Sequence, residues 1–368
     1  MKRSGSLRHG FTTGSAAAAG AKAGVLVLAG RPSPEEVDIP LPEEGRLRIP
    51  VKSVSVNGEE AVASVVKDAG DDPDVTHGAE IRTVVRLEGG EGRVTIQGGR
   101  GVGRVTKPGL PVAVGEWAVN PAPRLQITAA VKEALEEAGL EAGAAVTIEV
   151  PDGERLALKT LNPRLGILGG ISILGTRGTV KPFSHESYRE TIRVSMDVAL
   201  AEGLNTVGLS TGGKSEKLLR KALPGLPEEA FIQVADHFAF SLREAAARGF
   251  REILYACFFG KLVKAAQGHP QTHAVRSRID FDLLARWAAE SGVSGGRVER
   301  TASANTAREA LDWVQKDPAA QAFLDGVAGR ALASARKFAG AGPGLGIYLF
   351  DFDGSLLSFQ GEESAEKK

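Results

Sequence analysis

The chain is 368 residues long, enough for two ordinary domains that each bury a core. With 45 basic and 45 acidic side chains it carries no net charge, so no global field recruits nucleic acid or an anionic membrane, and any anion must be held locally. The single cysteine excludes an internal disulfide, and the Ala-rich stretch after the basic N-terminus is too short and too glycine-broken to span a bilayer, so a cytoplasmic protein is expected.

In chain order, hydrophobic periodicity predicts an Ala-rich helix over Ser15–Leu28, then strands at Val51–Val56, Ala61–Val66, Ile81–Leu87 and Arg93–Ile96 with glycine turns between them. An amphipathic helix over Gln126–Ala138 precedes strands at Ala145–Val150 and Arg155–Leu158, an α+β pattern with a mixed sheet. A helix over Ser187–Ala201 opens a different rhythm. Strands Thr206–Leu209, Phe231–Ala235 and Ile253–Phe259 are each followed by a helix, starting at Ser215, Phe238 and Gly260. Such βα units imply a parallel sheet, with ligands beyond the carboxyl ends of its strands. Helices at Ala302–Val314 and Ala319–Ala335 and a strand at Gly346–Asp351 complete the pattern. The expected fold is a two-domain α/β protein: an α+β domain over 1–182, a Rossmann-like α/β domain with a parallel sheet over 183–355, and a flexible polar tail over 356–368.

The most informative stretch is GKLVKAAQGHPQTH, residues 260–273. A helix starting at Gly260 offers unpaired N–H groups to an anion, and Lys261 and Lys264 add charge. His269 and His273 are four apart, but Pro270 moves them off a regular helix, so no zinc site is expected. GLSTGGKS, residues 208–215, matches the phosphate-loop pattern, yet its first residues read as strand. Two readings stay open there: a nucleotide-phosphate loop, or a glycine turn at Gly212 and Gly213 that brings backbone close to a nucleoside whose ribose meets Asp236. Cys257, inside an apolar strand, reads as a packing residue.

In the first half, KDAGDDPDVTHG gathers Asp68, Asp71, Asp72, Asp74 and His77. Asp-capped turns explain part of this, but crowded carboxylates should raise some pKa values, as where a proton is handled. In RHGFTTGS, Thr13 or Ser15 is expected to cap the first helix while N–H groups are left for an anion. GGRGVGRVTKPG carries Arg100, Arg104 and Lys107 on a glycine-rich loop suited to carboxylates or phosphates, or to a solvated hairpin tip.

GFTTGS, DAGDDPDVTHG, GRGVGRVTKPGL, NPAPR, GGISILGTRG and GKLVKAAQGHPQTH, in this order, closely resemble the CbiD family of cobalt-precorrin-5B C1-methyltransferases of anaerobic cobalamin synthesis. The match runs from Arg8 to about Asp282. It implies methyl transfer from S-adenosylmethionine to C1 of a cobalt tetrapyrrole, giving cobalt-precorrin-6A. The cobalt arrives in the substrate, so no protein-bound metal is implied. Donor binding is then expected at the strand ends, at Gly212, Gly213, Asp236, Gly260 and Lys261. Substrate carboxylates would meet Thr12, Thr13, Ser15, Arg100, Arg104, Lys107, His269 and His273, and Asp72, Asp74 or His77 would manage protons or orient the ring. Besides the substrate, other enzymes of the pathway and further copies of the chain are the partners left open. The family's usual cysteine after GFTTGS is Ala16 here, which excludes a thiolate there, and Arg177 stands where a small polar residue is usual. A phosphate-loop ATPase and a non-catalytic tetrapyrrole carrier are the rival functions.

Overall fold

The computed structural model describes residues 7–90 and 92–362 and divides into two compact units, with the boundary between His185 and Glu186. In the first unit, β1 (Gly10–Phe11) leads into α1 (Thr13–Leu28), a hairpin of β2 (Glu36–Pro40) and β3 (Arg46–Pro50), then β4 (Ser53–Asn57), β5 (Glu60–Val66), β6 (Glu80–Glu88), β7 (Val94–Gly98) and the short β8 (Gly101–Val102) and β9 (Arg104–Val105). Helix α2 (Pro121–Ala138), β10 (Gly143–Glu149), α3 (Gly153–Ala157) and the short β11 (Ile167–Leu168), β12 (Gly170–Ile171) and β13 (Thr179–Val180) complete it. Five strands form a sheet in the order β4-β5-β6-β10-β7, antiparallel except for the parallel β10–β7 pair. This is the mixed sheet its alternating runs imply.

Alternation fixes which face of that sheet is buried. Ile81, Thr83 and Val85 of β6 point into a core shared with α1 and α2, and the residues between them face outward. Small side chains let α1 lie close: a Cβ on Gly20 would come within 2.5 Å of Thr83 Oγ1, and one on Gly24 within 2.8 Å of Val85. Lys22 of α1 is 4% exposed and pairs with Glu133 and Glu137 of α2, at 3.2 and 2.7 Å.

The second unit runs α4 (His185–Ala201), β14 (Thr206–Ser210), α5 (Gly213–Ala222), β15 (Phe231–Gln233), α6 (Phe238–Ala247), β16 (Glu252–Phe258), α7 (Phe259–Ala266), α8 (Phe281–Glu290), α9 (Gly295–Ala302), α10 (Ala307–Val314), α11 (Ala320–Ala339), β17 (Gly344–Phe350) and β18 (Leu356–Glu362). Its sheet order is β15-β14-β16-β17-β18, with the first four strands parallel and β18 antiparallel to β17. Alternate residues of β16 serve two cores. Ile253, Tyr255 and Cys257 pack with α4, α6, α7 and α11, while Ala256 and Phe258 face α5.

Several expectations need correction. The expected tail from residue 356 is a strand as far as Glu362, because it supplies the antiparallel edge of the sheet; residues 363–368 lie outside those described. The expected strand at Arg155–Leu158 is the one-turn helix α3, a four-residue apolar pattern being too short to separate the two periods. The expected helix over Ala302–Val314 is broken: α9 ends at Ala302 and α10 restarts behind Thr306, whose hydroxyl accepts from Glu309 N at 3.1 Å while Glu309 accepts from Asn305 N. The β2–β3 hairpin and α8 are additional elements. Pro40 and Pro50 sit at strand ends, where the missing N–H is tolerated.

Candidate cofactor and substrate sites

In the second unit, the chain leaves β14 through α5 to β15 on one side and returns to β16 on the other. The strand order therefore reverses between β14 and β16. α5 packs on one face of the sheet and α7 on the opposite face, so their N-termini both lie at the carboxyl ends of these strands. Gly212 and Gly213 stand at the start of α5 and Gly260 in the first turn of α7.

Gly212 has an extended backbone, φ 164°, which any residue can adopt, and nothing lies within 4 Å of a Cβ built on it. Neither conformation nor internal packing requires glycine there. Open space over backbone at a strand end is what a closely approaching ligand needs. Only Thr211 and Gly212 separate β14 from α5, and Gly208 and Leu209 belong to the strand. The turn is therefore too short to wrap a phosphate chain, and the glycine-turn reading of GLSTGGKS fits this geometry. Alongside, an open cleft of about 700 Å³ is lined by Gly213, Lys214, Glu216, Lys217, Arg220 and Gln233.

Asp236 follows β15 directly after Ala235, whose φ of 47° is unusual for a residue with a Cβ and marks a held loop. Its Oδ1 accepts from Lys261 Nζ and, at 3.0 Å, from Thr272 Oγ1, and Lys264 Nζ donates to the Thr272 carbonyl at 3.0 Å. Both bonds to the carboxylate use Oδ1, leaving Oδ2 outside this pair. Burial and the like charge of Lys264 push Lys261 down to about 8. α7 ends at Ala266, before the histidines. His269 Nε2 bonds the Arg278 carbonyl at 3.0 Å, and the exposed His273 accepts from Val275 N through Nδ1. Cys257 is fully buried and its thiol is pushed well up by burial, in keeping with a packing role.

In the first unit, one segment joins the motifs that the sequence scatters. Residues 170–171 pair with β8, Ile173 bonds Ala118 and Asn120, Leu174 and Gly178 accept from the N–H groups of Gly14 and Thr12, and residues 179–180 pair with β1. Phe183 N donates to Asp72 Oδ1 at 2.8 Å. The acidic loop closes against the same place: Phe11 N donates to the Asp68 carbonyl, and Arg8 and Asp71 exchange bonds at 2.6 and 3.0 Å. Close backbone approach requires glycine here, since a Cβ on Gly10 would lie 2.3 Å from the Asp68 carbonyl oxygen.

The individual residues divide into framework and surface. Thr12 caps α1 by accepting from Ser15 N, Thr13 Oγ1 donates to the Ser172 and Leu174 carbonyls, and Ser15 Oγ donates to Gly178 O at 2.7 Å. All three are buried and committed to the chain's own groups, so they shape the site rather than face solvent. The Asp cluster also corrects the expectation of raised pKa values. Asp68 and Asp74 are both held below the usual carboxylate range, Asp68 by the Arg8 guanidinium and Asp74 by Lys67 and Thr76 against its own burial. Cations interleave with the carboxylates, so repulsion does not dominate. Lys67, 2% exposed and absent from the sequence reading, donates to Asp74 Oδ2 at 2.6 Å, while Thr76 occupies Oδ1. Asp74 therefore pins the loop, and Asp72 and the exposed His77, whose Nδ1 accepts from Ala69 N, stand nearer the surface. Arg100 is exposed. Arg104 is laid 3.8 Å over the Trp117 ring and bonds Gly115 O, and the Lys107 stem runs beside Gly166.

The family models CbiD and CbiD, C-terminal domain match residues 1–182 and 271–360. A protein named cobalt-precorrin-5B C(1)-methyltransferase from Nitratidesulfovibrio vulgaris is 51% identical over 96% of this chain and 92% of its own length. The chain belongs to the CbiD family. Further CbiD relatives with the same name, from Geobacillus kaustophilus and Geobacter sulfurreducens, are 47% and 43% identical, covering 86% and 96% of this chain and 85% and 98% of theirs. A solved structure described as cobalamin biosynthesis protein (cbiD) from Archaeoglobus fulgidus is 30% identical over 69% of this chain and 78% of that one, with a TM-score of 0.39, too low to speak to the fold. Against the family pattern, Ala16 is fully buried in α1, where a small apolar side chain packs, and Arg177 pairs with Glu43 at 3.6 Å in solvent. Among the described residues of this CbiD chain, no group of three or more His, Cys, Asp or Glu is placed to hold a metal ion, and no helix is long and apolar enough to cross a membrane.

Proposed function

We propose that the chain uses S-adenosylmethionine to methylate C1 of cobalt-precorrin-5B, giving cobalt-precorrin-6A in anaerobic cobalamin biosynthesis. The observation that carries this reading is the 51% identity, over 96% of the chain, to a protein named for that reaction. The second unit serves as the Rossmann-like, doubly wound cofactor domain, its switch point between β14 and β16 being where such sheets bind nucleosides. The residues there fit the donor. Gly212 and Gly213 give backbone access, Gly260 lies in the first turn of α7 with its free N–H groups, Asp236 Oδ2 is available to ribose hydroxyls, and Lys261 and Lys264 supply positive charge for a carboxylate. His269 and His273, on the loop that carries Thr272, are assigned to substrate carboxylates.

In the first unit, Arg100, Arg104 and Lys107 pair with the acetate and propionate groups of the macrocycle, on a framework set by Thr12, Thr13 and Ser15. Asp72 and His77 orient the ring or take a proton, and Asp74 fixes the loop that carries them. The donor brings a methyl group already activated by its sulfonium. The chain's share is to align the nucleophilic carbon with it and to keep water away. Cobalt belongs to the substrate.

Turnover with cobalt-precorrin-5B, followed by mass, tests the reading: the product gains one methyl group and S-adenosylhomocysteine is released. Binding of the corrinoid without release of S-adenosylhomocysteine would leave a carrier instead. Calorimetry separates the ATPase rival. S-adenosylhomocysteine should bind without magnesium, and magnesium-dependent ATP binding in its place would overturn the assignment.

A further inference from the structure

The turn between β17 and β18 presents an aromatic ring at the same strand ends. Phe352 is 54% exposed, a large apolar area to leave in water at the mouth of a candidate site. Its backbone is firmly built: Phe352 N donates to Asp351 Oδ1 at 2.7 Å, Asp351 N to the Ser355 carbonyl at 2.9 Å, and Ser355 N to Asp353 Oδ1 at 2.9 Å. Arg308 holds the Asp351 carboxylate from α10. The ring itself is backed by Phe258, the last residue of β16, stacked at 4.4 Å between centroids and 18° between planes. Lys214, in the first turn of α5, places Nζ 5.2 Å from the Phe352 centroid. Residues from the ends of β14, β16 and β17 thus meet around one exposed ring, on the face of the sheet that α5 covers.

We propose that Phe352 is the platform on which the purine of the donor stacks, an inference that rests on the second unit binding S-adenosylmethionine. A flat, rigidly backed aromatic face suits a planar heterocycle, and stacking of this kind tolerates no water layer. The lysine arm near it is flexible and gives way at little cost. The ring's position beside the β14–β16 reversal sets the purine on the α5 side, with the ribose directed toward Gly212 and Asp236.

Calorimetry on the full chain compares S-adenosylhomocysteine with S-ribosylhomocysteine, which lacks the purine, for the wild type and for Phe352→Ala and Phe352→Trp. Thermal unfolding should show both variants folded, with only a small loss for Phe352→Ala from the Phe258 stack. Phe352→Ala should weaken S-adenosylhomocysteine binding by about tenfold or more, leave S-ribosylhomocysteine binding unchanged, and be rescued by Phe352→Trp. Equal loss for both ligands, or no loss for either, overturns the stacking role while the wild type's binding keeps the methyltransferase reading. A change confined to KM for the corrinoid would assign the ring to the substrate and also overturn it. No binding of S-adenosylhomocysteine by the wild type removes both.

Discussion

At Gly212 the backbone is extended and the surroundings are empty, so the residue's identity is free to serve a ligand. Gly212→Ala should leave unfolding within about 0.5 kcal/mol of the wild type, as for an unconstrained surface position, yet weaken S-adenosylhomocysteine binding in calorimetry. Asp236→Ala should cost roughly 1–3 kcal/mol of the same affinity by leaving Lys261 and the ligand's polar groups unmatched; unchanged affinity would remove Asp236 from the site. Lys67 and Asp74 form the opposite case, a pair whose work is structural. Asp74 is held below its ordinary value, so the pair contributes stability that is full above about pH 4 and lost as pH falls through the depressed folded value. Asp74→Asn should destabilise by about 3–5 kcal/mol in urea unfolding, because it strands the buried Lys67 ammonium, and should flatten the acid limb of the stability profile. That Gly212, Gly213, Asp236 and Lys261 lie just past strand ends is legible in the sequence, because strand-then-helix patterns announce themselves. Lys67 was not: nothing local distinguishes a lysine that ends a strand in solvent from one 2% exposed beneath its own loop.

Among the elements, α1 shows what an alanine and glycine run is for. Its stripe of small residues lets the helix rest on β6, and Gly20→Val should cost about 1–3 kcal/mol by forcing the helix off Thr83, measured by denaturant unfolding. The sequence predicts that helix within two residues of its start, and the β14, β15 and β16 strands as short apolar runs each followed by a helical stretch. Elements punctuated by proline or by a cap are harder. Pro40 and Pro50 mask a hairpin that places them at its ends, and the Thr306 cap interrupts what its letters present as an unbroken helix. The convergence of four motifs on residues 170–183 is not readable, because it is made by hydrogen bonds, most of them backbone to backbone, between segments from about fifty to more than a hundred and fifty residues apart.

Over the whole chain, two units with separate cores carry separate tasks in this account, and a protein without net charge must rely on local cations for an acidic substrate. Hydrogen exchange should reflect the division: S-adenosylhomocysteine should slow exchange at the carboxyl ends of β14 and β16 and leave the β4-β5-β6-β10-β7 sheet unchanged. Equal protection of both sheets would deny it. The central claim is that the donor sits where the strand order reverses. A crystal structure with S-adenosylhomocysteine bound tests it most directly. The nucleoside should lie against the backbone of Gly212 and Gly260 with a ribose hydroxyl on Asp236, and density for it at any other place on the molecule would contradict the account.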